Sequence, residues 1–472
     1  MAIGRHDQGQ QEGLWIPSHE IVRGEGHVFY RALNALFRRH GFDEFVEGLV
    51  EEAKVFADGV GRPSIPPGVY FRMALVGYFE GLGSERGVSW RCADSMSLRD
   101  FLGYELTRET PDHSTMSRWR RKLPESVHRT MFEWVVRVAR EEKILKGRKV
   151  AVDATTLEAN AAMKSIVRKA DGATYQAYLK KLAKAEGIDD PTPQDLQRMD
   201  RKRKKKVSNR RWKSRTDSHA RIARLKDGRT RMAYKLENAM DIESRITVAA
   251  EVHSADKGDT QTIGKTLLAA DATTMRAGVE GGITSVIADR GYHSDAVLHE
   301  LNSTGYRTYI AEPVRGRRNW RRQRRLNEEL AAVRQKAFHA NRRRGRSATG
   351  RALQKKRAEF PERGFAHLKR TGGFARVFVR GRANVTKKAQ AYVAAANLSV
   401  ILRTMLGIGT PRSLQGRVNS LLRALSSLLH VFVRLVSELQ RPFREIRTIS
   451  TPPPDITALP TRLLQASAWA PR

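Results

Sequence analysis

A mixed α/β domain preceded by a helical one is the fold class that this sequence predicts, and three observations predict it. Between about Val22 and Leu145 the apolar residues recur at helical intervals. From Gly147 onward, short runs rich in β-branched residues alternate with helical stretches, the order expected of a mixed sheet flanked by helices. Two of those runs end in an aspartate.

The helical region comes first. Phe29, Leu33 and Leu36, then Tyr70, Ala74 and Phe79, then Met131, Val135 and Val138 trace its apolar faces, and glycine and proline interrupt them at Gly59 to Pro67 and Gly81 to Gly87. Within it, Pro111-Asp112-His113-Ser114-Thr115 predicts a turn and helix cap. The helix so begun carries Arg118, Trp119 and Arg120, which suits a DNA groove. An ordinary capped helix with a solvated face has the same signature.

In the second region, strands are expected at Val150 to Val152, Arg231 to Leu236, Arg245 to Val252, Thr284 to Ala288 and Arg307 to Ala311. Helices are expected near Thr260 to Ala270 and His293 to Ser303. Asp153 stands at the end of the first strand, and Asp289 follows Val286-Ile287-Ala288. A carboxylate just beyond a buried strand projects from the sheet rim, where ligands bind in α/β folds. Two of them on neighbouring strands repel unless a hard divalent cation bridges them. A lone strand-end aspartate is more often a turn former, and finding two in one domain weakens that reading.

Composition points to the partner. Lysine and arginine number 87 against 50 aspartates and glutamates, a net charge of +37. So large an excess implies a polyanion, DNA or RNA, and charge alone does not separate the two. Two stretches concentrate it. One, near 158–227, includes Lys204, Arg211 and Trp212. The other, near 315–357, includes Arg318 and Trp320. Tryptophan interleaved with basic residues suits phosphate neutralisation with stacking on bases, while a basic linker is the plainer alternative. A single cysteine, Cys92, excludes a disulfide framework or a multi-cysteine zinc site. With no secretory-type apolar stretch at the amino terminus and no membrane-length apolar run, a cytoplasmic protein without a membrane partner is expected.

Glu362 and Lys369 are seven positions apart, two helical turns, so one helix face presents both. By itself such a pair usually marks a solvated face. Taken together, Val150-Ala-Val-Asp153-Ala-Thr-Thr, Ala288-Asp289-Arg290-Gly291-Tyr292-His293-Ser294, and Glu362 followed by Lys369 resemble the DDE transposases of bacterial insertion sequences. The Asp112 to Thr115 segment and the Tyr234-Lys235 to Asp241 segment are similar too, so the resemblance spans most of the chain from Val22 to about Leu402. It departs from the family pattern in one respect. The arginine commonly four residues ahead of the glutamate is Ala358 here, with Arg357 one place earlier. Glu359 competes with Glu362 but has Ala366 where the lysine belongs.

The resemblance implies a ribonuclease H-like catalytic domain over 147–402, carrying the two basic insertions, after a helical DNA-binding domain over 21–146. A tail over 1–20 precedes them and a helical segment with a Pro-rich tail over 403–472 follows, whose stripe Leu414, Val418, Leu421, Leu425, Leu428 and Phe432 suits a core or a protomer contact. It further implies that Asp153, Asp289 and Glu362 hold two Mg²⁺ ions, Mn²⁺ being the other hard choice, with Asp153 shared between them. Lys369, Arg290 and Tyr292 would orient phosphates. The partners implied are double-stranded DNA, as terminal inverted repeats and target, and a second copy of the chain on that DNA. A nuclease of the same fold, or a DNA-binding descendant without activity, shares these features.

Overall fold

The computed structural model describes residues 26–56, 64–203, 207–225, 227–314, 320–321, 325, 327–407 and 409–411. Seven helices come first: α1 Val28–Arg39, α2 Phe42–Glu52, α3 Pro67–Phe79, α4 Glu85–Asp94, α5 Met96–Leu102, α6 His113–Lys122 and α7 Glu125–Glu141. Their apolar faces meet around Phe29, Phe37, Phe42, Phe79 and Trp134, with Trp134 ringed by Phe37, Phe42 and Phe45. Asp112 caps α6 as its position predicts, accepting a hydrogen bond from the Thr115 amide at 2.8 Å.

The sheet contains β1 Lys149–Glu158, β4 Arg221–Arg224, β5 Thr230–Asp241, β6 Thr247–Ser254, β7 Ser285–Ala288 and β8 Arg307–Ile310, while β2 Ile166–Arg168 and β3 Trp212–Ser214 form a separate pair. Its order is β4, β5, β1, β7, β8, with β6 on β5. Strand β1 runs parallel to β7 and antiparallel to β5, and β7 runs parallel to β8, so the sheet is mixed as expected. Helices α8, Tyr175–Ala185, and α9, Pro193–Lys202, lie between β2 and β3 in the chain; α10, Asp259–Arg276, packs on β6 and β5, and α11, Asp295–Ser303, connects β7 to β8.

Three departures from expectation have local reasons. Strand β1 does not stop at Asp153. Its pairing with β5 continues to Glu158 opposite Ala233, beyond the point where β7 leaves the ladder, and Thr155 and Thr156 favour the extended chain. Strand β6 begins at Thr247 rather than Arg245, because a turn closes there on Asp241, whose carboxylate accepts from the Ser244 amide and hydroxyl while Arg245 takes φ 67°. Finally, the second basic stretch is largely folded. Helices α12, Glu328–Arg346, and α13, Ala348–Ala366, cover the sheet, and Asn341 of α12 exchanges two 2.9 Å hydrogen bonds with the backbone of Ile310 in β8. Arg343, Arg346, Arg351 and Arg363 face outward and conceal an inward stripe of Ala331, Ala337, Phe338 and Leu353.

The π-helical turn His367–Thr371 extends α13, and α14, Arg382–Leu406, follows. Helix α14 packs against α3, α7 and β6, so one hydrophobic cluster runs from the amino-terminal helices into the sheet. Its Lys387 amine donates to the carbonyls of Arg120 and Leu123, closing the carboxyl end of α6. No helix among the described residues is long and apolar enough to cross a membrane. The apolar stripe from Leu414 to Phe432 lies outside them.

Candidate active site

The parallel ladder between β1 and β7 ends with Val152 opposite Ala288. The next residue on each strand is an aspartate, Asp153 and Asp289, so the sheet sets two carboxylates at adjacent positions of one rim. Strand β7 is wholly buried, which fixes its register, and a slip of one residue would turn Asp289 to the other face.

Each carboxylate is held locally through one oxygen. Oδ1 of Asp153 accepts from the Ala154 amide and Oδ1 of Asp289 accepts from the Gly291 amide, both at 2.8 Å. The other oxygens, both Oδ2, face one Nη2 of Arg357 on α13, at 3.5 Å and 3.6 Å. Two like charges are thus gathered about a single guanidinium. Arg357 and Asp153 are mostly buried, with 14% and 15% of their side chains exposed, and Asp289 is a third exposed.

Gln354, one turn before Arg357, donates to the carbonyls of Ala288 and Tyr309, and Leu353 packs among Ala151, Ile242 and Ile287. One face of α13 is therefore bound to the rim of the sheet. Two buried polar atoms at this rim, Nε of Arg357 and Oδ1 of Asn238, have no hydrogen-bond partner among the described residues. Asn238 sits directly across from Asp153 in the β1 and β5 register.

The third expected carboxylate is not beside the other two. Glu362 is exposed on α13, five positions from Arg357 and so about 140° around the helix from it. Glu359 is also exposed and pairs with Arg363 at 3.0 Å. No group of three or more His, Cys, Asp or Glu side chains is placed to hold a metal ion among the described residues. Lys369, on the π-helical turn, does reach the sheet, donating to the Thr156 carbonyl of β1 at 2.9 Å. Such turns are frequent at functional sites.

The residues expected on DNA divide by chemistry. Arg118, Arg211 and Arg290 are exposed. Arg120 is mostly buried against Glu85 at 2.6 Å. Aromatic residues go inward, contrary to the stacking role expected of them, because burying a large ring outweighs leaving it in water. Trp119, 4% exposed, stacks on Tyr70 at 5.5 Å, and Trp212, 3% exposed, sits between the edges of Tyr175 and Tyr178. Trp320 lies half-buried against Phe338. Tyr292, 1% exposed, gives its hydroxyl to Glu237 at 2.9 Å, so it presents no atom to a phosphate. Lys204 and Arg318 lie outside the described residues.

Glu237 was not singled out in the sequence. Although burial raises the pKa of its carboxyl, the nearby His253 ring and the Lys235 charge hold it down to about 2. The signal was present in Lys235-Leu236-Glu237-Asn238, where charged residues interrupt an otherwise apolar strand.

Residues 144–398, more than half of the chain, match the family described as Transposase DDE domain, and residues 18–122 match Transposase domain (DUF772). No curated protein and no solved structure matches the chain.

Proposed function

We propose, from the premise that this chain belongs to the DDE transposase family, that it cleaves phosphodiester bonds at the ends of an insertion sequence and joins them to target DNA. The observation that carries this reading is the placing of Asp153 and Asp289 at adjacent rim positions about one cation. Transposases act on DNA, and the charge of +37 suits that partner. A mixed sheet with two carboxylates leaving neighbouring parallel strands supports a ribonuclease H-like domain, here continuous with a helical DNA-binding region.

The donor set suits a hard divalent cation. It consists of carboxylate oxygens, with the unpartnered amide oxygen of Asn238 opposite Asp153, and the guanidinium of Arg357 marks where positive charge is accepted. Asp153 and Asp289 would hold Mg²⁺ or Mn²⁺, with Glu362 as the third ligand. Bound there, the metal supplies Lewis-acid activation of a water or a DNA 3′-hydroxyl and neutralises the leaving oxygen.

For Glu362 to join, α13 must turn and withdraw Arg357, since the two occupy different faces of one helix. Arg357 thereby balances the aspartates before loading. Lys369, which reaches the Thr156 carbonyl, and the exposed Arg290 would grip phosphates beside the rim. Arg118 and Arg211, with the basic stretches around Lys204 and Arg318, would neutralise the terminal repeats, and two copies of the chain would pair two ends.

The test is to incubate the full chain and Mg²⁺ with a labelled element end and a supercoiled plasmid. Label joined to plasmid is the expected product. Cleaved ends with no joined product would leave a nuclease and overturn the transfer half of the reading.

A further inference from the structure

On β5, one residue from Asn238 and so on the opposite face, a carboxylate lies fully buried that none of the steps above uses. Glu237 is 0% exposed and stands opposite Ala154, next to Asp153 in β1. From α10 it receives the hydroxyls of Thr262 at 2.7 Å and Thr266 at 2.5 Å. Tyr292 donates to it at 2.9 Å, Lys235 lies at 3.2 Å and His253 at 3.6 Å. Sinking an ion this deep is costly, and apolar residues would fill the same space without that cost. So many partners around one carboxylate indicate that its geometry serves something besides packing.

Tyr292 closes the 3₁₀ turn Arg290–Tyr292, whose cap is Asp289 itself. The turn is gripped at a second point. Lys235 also binds Asp259 at 2.6 Å, and a Cβ on Gly291 would come within 2.6 Å of Oδ2 of Asp259 and 3.0 Å of Oδ1 of Asp289. Asp259 thus walls the glycine whose amide holds Asp289. A shift of this turn carries the Asp289 carboxylate with it.

We propose that Glu237 is a positioning residue: through the Tyr292 hydroxyl and the Lys235 and Asp259 pair it fixes Asp289 in the orientation that holds the divalent cation. The proposal rests on the metal-holding role given to Asp289 above.

Mn²⁺ affinity of the full chain tests it, read by the paramagnetic resonance signal of free Mn²⁺ alongside the melting temperature and binding of an element end. Asp289→Asn should lose the site. Tyr292→Phe, which keeps the buried ring and removes one hydroxyl, should weaken Mn²⁺ binding about tenfold or more, the usual consequence of losing an outer partner of a ligand. Glu237→Gln retains an oxygen to accept from Tyr292 and should stay closer to the parent than Tyr292→Phe does. Binding of the DNA end should be unchanged in both. If Asp289→Asn loses Mn²⁺ while Tyr292→Phe binds it as the parent does, the positioning role is wrong and the metal reading stands. If Asp289→Asn binds as the parent does, the metal reading fails and the positioning role fails with it.

Discussion

Asp153→Asn and Asp289→Asn should each lower joining of a labelled DNA end by at least about a thousandfold, a loss typical of removing one element of transition-state charge stabilisation. The fold should hardly notice. Asparagine has nearly the volume of aspartate, and its side-chain oxygen can still accept from the Ala154 or Gly291 amide. What is lost is half of an ion pair to Arg357 at 3.5 Å to 3.6 Å, offset by relief of the repulsion between the carboxylates. The net effect on stability is small, because Arg357 keeps the other aspartate as its partner. Activity measured beside thermal unfolding therefore separates a chemical role from a structural one. A loss of activity that tracks a loss of melting temperature would contradict the assignment.

The second large effect concerns the third carboxylate. Glu362→Gln should lower joining by roughly a hundredfold or more, the scale of losing one stabilising group, and Glu359→Gln should leave it close to the parent. Glu359 already has a partner in Arg363 at 3.0 Å on the solvent side of α13. Glu362 has none among the described residues and shares its helix with Lys369, which reaches the Thr156 carbonyl of β1. Joining assays on the two variants under identical metal and DNA concentrations decide between them. Loss in Glu359→Gln with retention in Glu362→Gln would move the third ligand by three residues.

How far the site could be read in the sequence depended on whether the chemistry was local. Asp153 and Asp289 were legible because each follows a run that can only be a buried strand, and parallel pairing then sets them side by side. Arg357 was legible only as a residue out of place in a family pattern. Its role as the shared partner of two aspartates needs the sheet and α13 together, and no spacing along the chain encodes it. Glu237 was hidden for a similar reason. Its partners come from β5, β6, α10 and the turn after β7, elements far apart in sequence. The tryptophans misled because basic neighbours suggested an exposed surface. In the segment around Trp119, Arg118 and Arg121 face solvent while the ring is buried, so composition reports the partner without locating the contact.

The most direct measurement of the central claim, that these aspartates hold the metal during the reaction, is joining by Asp289→Cys in Mg²⁺ and in Mn²⁺. A thiolate is a poor ligand for Mg²⁺ and a better one for the softer Mn²⁺. The variant should be nearly inactive in Mg²⁺ and recover by about tenfold or more in Mn²⁺, while the parent shows no comparable preference. Equal activity of the variant in both metals, whether high or absent, would contradict a direct bond between Asp289 and the catalytic ion.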